Sequence, residues 1–198
     1  MAFLNKAKWV LGILIVFVLI LSTNIIDREN FLRVKAAIIT IYEDRLIAND
    51  LLFEMLESVQ EKEIAAATSD TVFYGKKNST INTTVANLVK RYEQTKMTPE
   101  EEAMFDDFKS NYENLKNAEK AFIDSEFYEK KSLFTAIYEV KKNLHRLSKI
   151  QLNEGGRQMS ISKNALNSVE LFTTIEINIL IFLAILIQII VIYNPKKK

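Results

Sequence analysis

VKAAIITIYEDRLIANDLLFEMLESV, Val34 to Val59, decides the fold. Within it Val34, Ile38, Ile41, Arg45, Ala48, Leu52, Met55 and Val59 recur at alternating steps of four and three. Seven of these eight are apolar or small, which is a heptad seam of a helix packing against helices. Ile39, Tyr42, Leu46, Phe53 and Leu56 widen the stripe to the breadth that a globular bundle needs. Only four Gly and two Pro occur in 198 residues, so long helices are favoured throughout.

Downstream the pattern breaks at ATSDTVFYGKKNST, where Gly75, two lysines, Asn78 and Ser79 read as a turn. A short second helix follows, with Val85, Leu88, Val89 and Tyr92 on one face. TKMTPEEE then marks a helix start. Thr98 is the N-cap, Pro99 the first helical residue, and Glu101 completes a capping box. This third helix carries Phe105, Phe108, Tyr112, Leu115, Ala118 and Phe122 on one side. DSEFYEKK closes it and opens a fourth, with Leu133, Ile137, Val140, Leu144 and Leu147, then Ile161, Ala165 and Phe172. Four helices with short connections predict an all-α, antiparallel up-down-up-down four-helix bundle.

Two apolar runs flank this middle. Residues 9–26 are uncharged and about long enough to cross a bilayer as a helix, and residues 176–193 form the second run. The first run also fits a cleaved signal peptide, but LILSTNII lacks the small-x-small cleavage pattern and a second run follows. Lys6 and Lys8 precede the first span, and Lys196, Lys197 and Lys198 follow the second. Positive flanks place both tails, 1–8 and 194–198, in the cytoplasm, with Trp9 and Tyr193 at the inner interface. Residues 27–175 then lie outside. The chain carries 25 acids and 26 bases, and every acid but Glu176 falls in that segment while five lysines lie in the tails. Such a balance makes no case for nucleic acid.

One layer of the seams is polar. Arg45 interrupts the first helix, and the fourth, continued in the same register, offers Gln151, Glu154 and Gln158. Counting equal heights from the two spans brings Arg45 level with residue 157, so Arg45 is expected to pair with Glu154, helped by Gln151 or Gln158. Tyr42 and Asn49 share the Arg45 face and would join. A charge in a seam needs such a partner. The layer is either structural, fixing register, or part of a ligand pocket or dimer contact. Gly155 and Gly156 beside it allow close backbone approach or a bend.

Enzymatic chemistry has little to stand on. His145 is the only histidine and there is no cysteine, so no transition-metal site or cofactor is expected. The acidic runs PEEE and FDD read as helix-start and solvated charges. The sequons at Asn78 and Asn82 mark an exposed loop.

IYEDRLIANDLL (41–52), TPEEEAMFDDFKSNYENLKNAEKAF (98–122) and LHRLSKIQLNEGGRQM (144–159), in this order between two spans, resemble the four-helix-bundle sensory module of bacterial methyl-accepting chemotaxis receptors. The resemblance implies a dimeric periplasmic sensor in the inner membrane. It also implies a small-molecule or binding-protein ligand and a small motion of the last helix as signal. Relatives that bind amino acids use arginines beyond the position of Arg45, where this helix offers only Lys62. A relay and signalling domain would follow Tyr193, where NPKKK stands, so the module is expected to act through a full-length receptor or kinase, or as a homodimer. The other expectation is a membrane-anchored helical scaffold without sensing.

Overall fold

The computed structural model describes residues 2–192 and is helical almost throughout. Helix α1 spans Ala2–Thr40, and a π-helical turn at Ile41–Leu46 joins it to α2, Ile47–Thr68. A second π turn, Phe73–Lys77, leads into α3, Asn78–Tyr92; α4 spans Pro99–Asp124 and α5 Lys130–Ile192. The chain divides into two compact units, one holding residues up to Ile38 and from Met159 on, the other Ile39–Gln158.

The second unit is the four-helix bundle. Its core is Leu51, Leu52, Met55 and Val59 of α2, Val85 and Leu88 of α3, the α4 aromatics and the α5 aliphatics from Leu133 to Leu147. All six residues expected to face inward on the third helix are buried, as are the first five of the fourth. Tyr92 stacks on Phe105 with ring centres 4.5 Å apart, and Phe105 lies 5.7 Å from Phe108. Such pairs add specificity to the apolar burial.

The helix ends follow their local chemistry. The Thr98 hydroxyl accepts from the Glu101 N–H at 3.2 Å and Glu101 accepts from the Thr98 N–H at 3.3 Å, closing the expected capping box, with Pro99 in the first turn. The turn expected at Gly75–Ser79 lies earlier. Ser69 takes a left-handed φ of 52°, ending α2, and Asp70 Oδ1 accepts from the Phe73 N–H at 3.0 Å, starting the next helix. Asp70 supplies the cap, so the glycine and lysines are wound into the π turn. Asn78 is therefore a buried helical residue rather than a loop sequon. Glu126 and Phe127, at φ 56° and 69°, turn the chain from α4 into α5.

In the first unit, among the described residues, the buried positions of α1 are Thr23, Asn30 and Ala37, at steps of seven, and those of α5 are Ser162 and Ala165. Ser162, not Ile161, takes the inward place; Ile161 is exposed. No breaker divides the first apolar run from the helix after it, and α1 runs unbroken to Thr40. Among the described residues α5 is long and apolar enough to cross a membrane, and none of its apolar window is buried. Tyr193, Lys196, Lys197 and Lys198 lie outside the described residues, as do the side chains of Lys6, Lys8 and Trp9.

Candidate functional site

Buried polar residues interrupt the inner seams of the bundle, and they meet in two layers. The first layer takes Arg45 from the π turn, Tyr92 from the end of α3, Glu101 from the start of α4 and Gln151 from α5. All four are buried, Tyr92 and Glu101 completely. Arg45 Nη1 donates to Glu101 Oε2 at 2.8 Å and to Gln151 Oε1 at 3.0 Å, and its Nη2 donates to the Lys96 carbonyl at 3.0 Å. The Tyr92 hydroxyl donates to Glu101 Oε1 at 2.7 Å and accepts from Gln151 Nε2 at 2.8 Å; Gln151 Nε2 also donates to Glu101 Oε1. With the Thr98 N–H, Glu101 accepts four hydrogen bonds, which is what a carboxylate can hold. Burial first, and the bond to Glu101 second, hold the Tyr92 hydroxyl well above the ordinary tyrosine range.

This corrects the expected pairing. Arg45 meets Glu101, not Glu154; Glu154 instead binds Arg157 on its own helix at 2.8 Å. After the buried Leu147 and Gln151, Glu154 and Gly155 are both half-buried and share the next step, and the Glu154 carboxylate is taken by Arg157 on its own helix. Gln158 is half-buried and forms no bond to Arg45. Tyr42 is exposed, and Asn49 accepts from the Ser148 hydroxyl at 2.7 Å on the surface; neither joins the layer. Of the residues expected there, Arg45 and Gln151 come together. A Cβ on Gly155 or Gly156 would meet nothing within 4 Å, so these glycines make no close backbone approach. Glu101 is no solvated helix-start charge, being fully buried.

The second layer lies about 26 Å along α2 from the first, at 1.5 Å per residue. Lys62 Nζ donates to both Glu119 oxygens, at 2.7 and 2.9 Å, and to Asn78 Oδ1, while Asn78 Nδ2 donates to Glu119 at 3.2 Å. Lys62 is fully buried, and burial pulls its ammonium below the ordinary lysine range against the opposing pull of Glu119. The Tyr74 hydroxyl, also buried, has no hydrogen-bond partner among the described residues. The signal for this layer was the seam itself. Steps of three and four from Val59 reach Lys62, and from Leu115 they reach Glu119.

A groove of about 480 Å³ runs between α4 and α5, lined by Asn111, Asn114, Ser132 and Thr135 among others. His145 is exposed on α5. Among the described residues no group of three or more His, Cys, Asp or Glu is placed to hold a metal.

Residues 6–165 match the family described as a four helix bundle sensory module for signal transduction. The chain belongs to that family. The match runs from α1 through the bundle and well into α5, so both polar layers lie in the sensory module. Comparisons with curated proteins and with solved structures found no match for the chain.

Proposed function

We propose that the protein is a membrane-anchored periplasmic sensory module of the chemoreceptor type, held by two spans with both tails in the cytoplasm, that hands its state to partner membrane proteins. The observation that carries this reading is the continuity of α5, a single helix from Lys130 to Ile192. Its first part supplies core residues to the bundle and its last part is apolar and unburied. A shift of α5 against the bundle core is therefore also a shift of the span. Reporter fusions test the anchoring. A reporter after Thr95, in the α3–α4 connection, is expected to be active only outside, and reporters at both ends only inside. A cytoplasmic signal at Thr95 overturns the reading.

For sensing, the α4–α5 groove is the place offered to a ligand, and its amides and hydroxyls beside Glu129, Lys131 and Glu139 suit a small polar molecule. A thermal-shift screen on the full chain in detergent should find stabilising compounds whose effect Asn114→Trp removes. Failure to find any, with stable capture of protein partners, favours the second reading, a helical scaffold without sensing.

A further inference from the structure

We infer that the stretch of α1 just outside the first apolar run, Arg28 to Lys35, is a binding surface for the headgroups of anionic phospholipids. It carries an exposed stripe that continues the exposed side of that run. Phe17, Leu21, Ile25, Arg28, Leu32 and Lys35 follow one another at steps of three and four, and all are exposed. Beside them Phe31 is 67 % exposed, while the buried positions of this stretch, Asn30 and Ala37, lie on another side of the helix. At Arg28 the stripe changes from purely apolar to a cation, an apolar pair and a second cation. An interfacial helix needs that mixture: apolar side chains for the upper acyl chains, cations for the phosphates.

The heights agree. The headgroup layer is roughly 5–8 Å deep on each side of the hydrocarbon core. Counted from Ile26, where the uncharged run ends, Arg28 stands about 3 Å out, Phe31 about 8 Å and Lys35 about 14 Å. Side chains on a helix lean toward its N-terminus, which on α1 is the membrane side. Phe31 and Leu32 therefore reach back into the layer. Lys35 can lay its stem along Leu32 and set its ammonium among the phosphates.

The charges are free to bind. Arg28 and Lys35 form no ion pair among the described residues. The nearest acids of α1 lie off the stripe. Asp27 is half-buried with Oδ1 enclosed, and Glu29 shares its face with Arg33, four residues on. A second copy laid on the same face would set cation against cation, whereas a phosphate is complementary to both. The exposed Phe31 and Leu32 between the cations favour a lipid over a free anion, which would make no use of them.

This surface rests on the anchoring proposed above, and a residue inside the apolar run tests that separately. Trp9 is the one tryptophan of the chain, so the full chain with Trp9→Phe and Phe31→Trp carries a single indole. It is placed in lipid nanodiscs in which brominated lipids quench a nearby indole. Bromines high on the acyl chain should quench Phe31→Trp more than bromines near the bilayer centre. Brominated phosphatidylglycerol should reach half-quenching at a lower mole fraction than brominated phosphatidylcholine. Arg28→Gln and Lys35→Gln should each cut that preference about fivefold. Equal half-quenching by the two lipids, or a preference that neither substitution alters, overturns the surface. Loss of the preference to inorganic phosphate at constant ionic strength would assign a free anion instead and overturn it too. Leu21→Trp on the Trp9→Phe background reports the anchoring. Quenching at Leu21→Trp without quenching at Phe31→Trp sinks the surface alone and leaves the face to another protein. No quenching at Leu21→Trp sinks the anchoring and the surface with it.

Discussion

Glu101 shows how one side chain can serve two levels of structure. As the third residue of α4 it caps the helix through the Thr98 N–H, and as a fully buried carboxylate it holds Arg45, Tyr92 and Gln151. The capping role is legible in TPEEE; the burial is not, because it depends on the start of α4 lying against the π turn and α5. Truncating Arg45 leaves that carboxylate buried without its cation, which typically costs about 3–5 kcal/mol. Arg45→Ala is therefore expected to destabilise the full chain by about 3 kcal/mol in chemical unfolding. The Arg45–Glu101 double-mutant cycle should show a coupling of about 2 kcal/mol. The Arg45–Glu154 cycle should show none, since Glu154 is bound to Arg157. A larger coupling to Glu154 than to Glu101 would refute the arrangement of this layer.

At the scale of elements, the π turn at Ile41–Leu46 is where periodicity misled. Buried positions described on α1 fall at Thr23, Asn30 and Ala37, and the buried positions on the next stretch include Arg45, Leu52, Val59 and Ala66, again seven apart. From Ala37 to Arg45 the step is eight. The wider turn absorbs one extra residue, so the inward stripe continues after it. A strict four-and-three count extended back through Ile38 cannot see this, and Ile38 is exposed. The Ser69–Asp70 turn is hidden in the sequence for a similar reason: Gly75 is a stronger breaker than Ser69, and only the cap from Asp70 decides between them. The helices with a clean stripe and a real cap, α4 above all, were legible in full. One deletion tests the account. Removing exposed Glu43 from the π turn should leave an ordinary α-helical step of seven and a folded protein, within about 1.5 kcal/mol of the parent or about 3–6 °C in Tm. Removing exposed Asp50 from α2 turns one side of the helix by about 100° against the other and should abolish cooperative unfolding. Equal losses from the two deletions would remove the basis for the extra residue.

The bundle has an aromatic and aliphatic core crossed by two buried ionic layers, Arg45–Glu101 and Lys62–Glu119, and past the second the core continues through Tyr74, Phe122 and Leu133. Both layers include or adjoin tyrosines that the fold keeps protonated. Burial raises Tyr74, Tyr92 and Tyr112 above the ordinary tyrosine range, with Glu119 adding to the first and third and Glu101 to the second. A folded-state value above the unfolded one means that the folded chain binds more protons at high pH. The stability these groups contribute is then whole below about pH 10 and falls as pH rises beyond it. Lys62 acts in the other direction. Its folded value lies below the unfolded one, so its burial penalty shrinks as pH rises, and that gain is complete by about pH 10.5. Above that point only the tyrosines act, and the bundle should unfold in alkali as a unit. Phenolate absorbance and helical circular dichroism, followed together on the full chain in detergent, should show the last phenolates appearing as the helix signal is lost. Tyr92→Phe should remove one phenolate from that late step. Complete tyrosine ionisation with the helix signal intact would show that these hydroxyls are open to water, and the burial of the two polar layers would have to be abandoned.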